Sequence, residues 1–343
     1  MAQSLAVRGA GAQPGSRERP AALDSRRKLQ LVLAVIWLLD AMLQFQPAMF
    51  GQGFPQMLAG SAQGNPAAVA RPITWSAAFI GHHVVVLNAI FAVVQLLLGL
   101  GLAFRPTVKP ALAASVAWAL GVWWLGEGLG GLLAGTASPF NGAPGAVALY
   151  ALLAILLWPA DRDPAAPFPA ARAVGRRIAR AAWLAVWLGL AILALQPASR
   201  APQAISTAPG EPGWLARIDA GAASALARHG PLASVVLAVI LIIVAVGLYL
   251  PVGAQRAAVV LAIAAAAVFW LAEGLGGILT GSGTDPNTGP LLALLALAFW
   301  PAAQPARSAV QPPAPPAQPA AQTTAPTAAQ PATPPAATSP GAA

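Results

Sequence analysis

Cysteine is absent from this chain of 343 residues, only 8% of its residues are charged, and just three histidines and two lysines occur. The missing cysteines exclude disulfide scaffolds, thiol chemistry and Cys-ligated zinc or iron–sulfur centres. The missing charge excludes an ordinary soluble globule, which carries roughly 25% charged residues. The scarce histidines argue against haem, because a bis-His haem within one part of the chain would need His82 and His83, and adjacent residues cannot both reach one iron. No metal site is expected. Met42, Met49 and Met57 near His82 read as fillers of apolar surface rather than copper ligands. Gly128-Leu129-Gly130-Gly131 lacks the lysine and preceding strand of a phosphate loop.

What is abundant is apolar: 57% of the residues are hydrophobic and the mean hydropathy is +0.67. Apolar segments lie near 29–46, 84–104, 111–134, 145–158, 181–197, 231–250, 257–280 and 288–301. A spanning helix needs roughly 20 such residues. The fourth and eighth segments are short and must recruit their flanks. The expected fold is an all-α polytopic membrane protein with eight transmembrane helices. Its expected parts are a disordered cytoplasmic N-terminal tail (1–28), a first four-helix membrane unit (29–160), a basic cytoplasmic linker (161–180), a second four-helix unit (181–302) and a disordered Pro/Ala-rich cytoplasmic tail (303–343). Eleven prolines from Ala302 onward leave that last segment nothing to pack with.

The net charge of +9 reads as membrane topology rather than nucleic-acid binding. With eight spans and a cytoplasmic N-terminus, fifteen of the nineteen basic residues fall inside. Only Arg71, Arg200, Arg217 and Arg228 fall outside. The positive-inside rule therefore puts both termini in the cytoplasm, and residues near Ser61, Ser138, Ser206 and Ser282 outside. Trp158, Trp183 and Trp300 fall at the predicted inner ends, where indoles reach headgroups. Arginine outnumbers lysine 17 to 2 amid abundant Ala, Gly and Pro, the usage of a GC-rich bacterium, so the inner membrane is the expected location.

The chain also repeats itself. Trp124-Leu125-Gly126-Glu127-Gly128-Leu129-Gly130-Gly131 recurs as Trp270-Leu271-Ala272-Glu273-Gly274-Leu275-Gly276-Gly277, an offset of 146. At the same offset His83 matches His229, Gly101 matches Gly247, Gly135 matches Gly281, Asn141 matches Asn287 and Pro144 matches Pro290. Upstream, Trp37…Gln46-Pro47 echoes Trp187…Gln196-Pro197. Each unit has an even number of spans, so the two tandem repeats are expected in parallel orientation. Long outer loops follow each first span, at 47–80 and 198–228. In the second, Leu215, Ile218, Ala222 and Leu226 at helical spacing predict a short amphipathic helix on the membrane face.

A four-span unit with a Trp-bearing first helix, a Gly-rich second helix closed by Gly99-Leu100-Gly101-Leu102…Arg105-Pro106, and a third helix directly after it resembles the DoxX-like family of bacterial membrane proteins. DoxD-like relatives in that family include a subunit of a thiosulfate:quinone oxidoreductase. Two such units would cover about 29–302. The resemblance lies in helix order and texture, so it transfers no site residue. It implies a membrane subunit associated with a quinone-linked or other redox system, with quinone as the cofactor class.

Three acidic residues lie inside the predicted spans: Asp40, Glu127 and Glu273. A charge at mid-membrane costs at least about 2.5–3.5 kcal/mol, so such residues face the protein interior. Glu127 is expected to share a helical face with Trp123, Trp124, Gly130 and Gly131, whose glycines admit a neighbouring backbone. His83 and His229 sit at outer helix ends. Asn141, Asp285 and Asn287 lie in outer loops, and Gln44 is one turn from Asp40. The candidate polar site is thus Glu127, Glu273, His83, His229, Asp40, Asn141 and Asn287, with Trp123, Trp124 and Trp270 as an apolar slot. The structural alternative is that each Glu hydrogen-bonds a neighbouring helix, each His is interfacial, and Asp40 is incidental because position 190 is Leu. Three function classes follow: the redox subunit, a small-solute or proton-coupled transporter, and a membrane scaffold or assembly factor. The expected partners are the lipid bilayer and other membrane proteins, with no nucleic acid.

Overall fold

The computed structural model describes residues 24–205 and 210–301. The tails 1–23 and 302–343, with Arg307 and Ser206, lie outside the described residues. Helices in order are α1 (Ser25–Leu43), α2 (Gly53–Gly60), α3 (Ala67–His82), α4 (Val84–Ala103), α5 (Val108–Leu125), α6 (Ala146–Leu156), α7 (Pro169–Val174), α8 (Arg176–Ala194), α9 (Gly213–Gly247), α10 (Val252–Ala272) and α11 (Thr288–Ala298). The described residues contain no strand. Five helical stretches are long and apolar enough to cross a membrane: Val84–Ala103, Arg105–Leu125, Arg176–Ala194, Gly213–Gly247 and Val252–Ala272. Rows of exposed Val, Ile and Leu on α4 (Val86, Ile90, Val93, Leu97) and α9 (Val235, Val239, Ile242, Val246) suit contact with lipid.

The segments near 145–158 and 288–301 fold into helices of only 11 residues each, α6 and α11. At 1.5 Å per residue each is about 16 Å long, roughly half the hydrocarbon thickness. Both are deeply buried. α6 packs on α5, α11 packs on α10, and the two short helices also pack on one another. Around them, α1 lies against α4 and α8 against α9. Glycine allows the closest approaches. A Cβ at Gly99 would lie 2.7 Å from Leu38, and one at Gly101 2.9 Å from Ala111.

Other expectations are corrected. The loop 47–80 contains two helices, α2 and α3, and α3 runs into α4 through a break at His83 (φ −132°). The amphipathic helix expected near 215–226 is present as the first part of α9, which bends at His229 (φ −135°) two residues before Pro231. The linker 161–180 is not merely basic. It holds α7, whose Ala170 and Ala171 are fully buried, and Phe168 packs on Phe299 at 5.1 Å. Trp183 is buried, and its indole N–H donates to the Val244 carbonyl at 3.1 Å rather than to a headgroup. Ser138 is also buried, where it accepts a hydrogen bond from the Ser199 hydroxyl.

One end of the bundle gathers charge. Arg26 pairs with Asp161 at 3.0 Å, Arg172 bridges Asp24 and Asp161, and Arg27 donates to the α4 carbonyls of Leu102 and Ala103. The far ends of α5 and α10 carry the repeated octapeptide.

Candidate functional site

The octapeptide does not continue the helix. α5 stops at Leu125, and Gly128, Leu129, Gly130 and Gly131 all take positive φ, between 56° and 69°. The second copy does the same, with Leu275 at φ 54° and Gly276 at φ 68°. Successive left-handed residues suit glycine alone, so each leucine is held there by its surroundings. A Cβ on Gly130 would overlap the Pro144 carbonyl, and one on Gly276 would lie 2.6 Å from Pro286. The shared helical face expected for Glu127, Trp123, Gly130 and Gly131 therefore does not exist.

The turn delivers each glutamate to the next helix. Glu127 accepts the Val147 N–H at 3.3 Å at the start of α6. Glu273 accepts the Thr288 N–H at 3.1 Å and the Thr288 hydroxyl at the start of α11. Both carboxylates thus satisfy helix N-terminal donors at the positive end of the helix dipole. They differ in one respect. Glu127 Oε2 is buried without a hydrogen-bond partner among the described residues, whereas both Glu273 oxygens are partnered.

That unpaired oxygen belongs to a residue lining a cavity of about 740 Å³, within the usual range of small-molecule sites. α1 contributes Trp37 and Asp40, followed by Gln44. The α2–α3 region supplies Phe54, Asn65 and Ser76, α4 supplies Phe91 and Gln95, and α5 supplies Trp118. Asp285 and Asn287, from the loop before α11, close one wall, so both halves of the chain build it. Asp40 is 1% exposed and accepts a 2.5 Å hydrogen bond from the Tyr150 hydroxyl. Asp40 Oδ1, Gln44 Oε1, Gln95 Oε1 and Asn65 Oδ1 join Glu127 Oε2 as buried acceptors with no partner among the described residues. The Trp118 and Phe91 rings meet edge to face at 5.6 Å. None of the described lining residues is Lys, Arg or His.

Asp285 borders this cavity and is partly buried by the surrounding protein. That burial pushes its carboxyl up from the ordinary 3.8, against hydrogen bonds from the Thr284 hydroxyl and the Asn287 N–H that pull it down.

Of the expected site residues, Asp40, Glu127, Asn141 and Asn287 line the cavity. Asn141 works mainly as a turn residue, accepting from the Ser138 N–H and donating to the Thr136 carbonyl. Asn287 caps α11 by accepting the Thr288 N–H, and its side chain approaches Gly142. Glu273 caps α11 and does not line the cavity. His83 and His229 are exposed and lie at helix bends, away from the lining, and His83 packs edge-on to Phe79. The expected slot is not formed. Trp124 is exposed, Trp123 donates to the Pro144 carbonyl at 2.7 Å, and neither they nor Trp270 line the cavity. The aromatic walls come from Trp37, Trp118, Phe54 and Phe91 instead. Tyr150 and Gln95 were not anticipated, although a lone Tyr and a lone Gln in apolar helices are the signals that mark them. Among the described residues no three His, Asp or Glu side chains are arranged to hold a metal ion.

No family model, curated protein or solved structure matches this chain.

Proposed function

We propose that this is an eight-span bacterial inner-membrane protein of two tandem four-helix units in parallel orientation, with both termini cytoplasmic, and that it binds a small hydrogen-bond-donating molecule inside its first unit. The observation that carries this is the row of buried, unpartnered acceptors on one aromatic-walled cavity. A buried acceptor left unpaired costs about 1–3 kcal/mol, so five on residues that line one cavity favour a polar ligand there. In the setting that the resemblance to DoxX-like proteins implies, the chain is the membrane subunit of a quinone-linked or other redox system, and a reduced quinol supplies such donors. The second function is transport of a small solute. What favours it is that Asp285 and Asn287 of the second half complete a chamber otherwise built by the first, so rocking of the halves would open it.

Solvent extraction of the purified protein, followed by absorbance and mass spectra, tests the site. The expected result is a stoichiometric lipophilic compound bearing O–H or N–H groups in the wild type, depleted in Asp40→Leu. A compound equally retained by Asp40→Leu would place binding elsewhere.

A further inference from the structure

The matched halves treat the same space differently. At the register of the repeat, Trp37 corresponds to Trp187 and Gly101 to Gly247, so the scaffold is kept. One scaffold bond is even reproduced with altered chemistry. The Asn88 side chain donates to the Gln44 carbonyl, and the matching Ser234 hydroxyl donates to the Ala194 carbonyl. The polar lining is not kept. Asp40 is replaced by Leu190, Gln44 by Ala194 and Gln95 by Leu241, and when the starts of α6 and α11 are aligned, Tyr150 behind Asp40 is replaced by Leu292. Leu190, Leu241 and Leu292 are all buried in the main core. Ala146 is replaced by Thr288, whose hydroxyl occupies the Glu273 carboxylate while Glu127 keeps a bare oxygen. The second half therefore shows how this scaffold looks when the chamber is filled. The scaffold is kept there without the polar residues of the first half.

We infer that the chamber of the first half is a binding site for an organic ammonium ion, a protonated primary amine carried on an apolar or aromatic body. This rests on the cavity being a ligand site, as proposed above. A primary ammonium has three N–H donors and no acceptor, which suits a cavity that gathers the side chains of Asp40, Glu127 and Asp285. Asp40, Glu127 and Asp285 all line this one cavity, and no basic residue among the described lining offsets them. The cation supplies that offset, since a buried carboxylate is tolerated when paired. The carboxyls do not converge on a point that a bare metal ion would need, whereas an ammonium on a flexible stem spans separate acceptors. Trp118 and Phe91 line the cavity with aromatic rings, whose faces attract a cation and whose apolar surface suits its body.

The test uses the full-length protein in detergent, with 2-phenylethylammonium, its neutral isostere 2-phenylethanol, the anion 3-phenylpropionate and decylubiquinol as probes in calorimetry and thermal melts. Saturable binding and a raised melting point are expected for the ammonium and neither for the alcohol nor the anion. Asp40→Asn should weaken it by about tenfold or more, the loss of one charge-assisted hydrogen bond. Gln95→Leu, which copies Leu241 of the second half and so should fold, should also weaken it. Equal binding of alcohol and ammonium, or indifference to both variants, overturns the inference. Decylubiquinol binding without ammonium binding overturns it but leaves the ligand site standing. Binding of none of the four overturns both.

Discussion

The Tyr150 hydroxyl donates to Asp40 Oδ2 at 2.5 Å across 110 residues of chain, beneath a Tyr150–Trp37 ring contact of 4.2 Å. This bond ties α6 to α1, while Trp37 in turn donates to the Ser115 hydroxyl on α5. Three helices are thereby joined through polar contacts inside an apolar bundle. Tyr150→Phe leaves Asp40 with neither oxygen bonded and should cost about 1–3 kcal/mol of stability. Thermal or denaturant melts in detergent check this, and an unchanged midpoint would mean that water reaches Asp40.

Gly130→Ala and Gly276→Ala should each be severely destabilising. Both positions combine positive φ with a neighbouring backbone where a Cβ would sit. Strain of about 1–3 kcal/mol arises from the conformation alone, before the overlap is counted. Gly189→Ala, in the middle of α8 with nothing within 4 Å, should be neutral or slightly stabilising. Equal expression of all three variants would contradict the left-handed turn.

At the two glutamates, Gln should be tolerated better than Lys. An amide oxygen still accepts from the helix N-terminus, whereas an ammonium there opposes the dipole. Glu273→Ala should cost about 0.5–2 kcal/mol, the range for losing a helix cap. Fluorescence-detected size exclusion and melting report both effects, and wild-type behaviour of Glu273→Lys would contradict the capping role.

Asp285 should leave a signature in pH. Its folded carboxyl lies above the ordinary 3.8. The folded state thus holds its proton more tightly than the unfolded one, and this contribution to stability is complete below that ordinary value. It declines as pH rises from there through the folded value. Relative to Asp285→Asn, the wild type should therefore gain stability on acidification from neutral pH. A difference between the two that is flat with pH would mean that the carboxyl is freely solvated.

For topology, cysteine is best placed at exposed sites. Ser282→Cys should react with an impermeant thiol reagent in intact cells, and Ala165→Cys only after permeabilisation. The buried Ser138 is unsuitable. The reverse pattern would invert the proposed orientation.

Much of the scaffold is legible in the sequence because bilayer helices announce themselves by long apolar runs, and a duplicated octapeptide by plain identity. Asp40 and Glu127 stand out for the same reason, as rare charges in apolar text. The turn at 128–131 is hidden because glycine is compatible with a continued helix, and only the backbone shows that four residues in a row are left-handed. The histidines mislead because sequence proximity to a helix end says nothing about which way the end bends. Tyr150 and Gln95 meet the site through contacts between helices far apart in the chain, which no local pattern encodes. The filled second half is visible in the sequence as Leu190, Leu241 and Leu292, but its meaning requires knowing which residues line the first cavity.

The brevity of α6 and α11 bears on how the chain is made. A stretch of 11 residues is too short to partition into a bilayer alone from the insertion machinery. In the proposed eight-span arrangement each enters beside the long helix that precedes it, as the trailing arm of a hairpin whose turn carries Glu127 or Glu273 to its first amides. Loss of either glutamate should then reduce the yield of inserted chains during synthesis, a defect that ligand added to the finished protein would not repair.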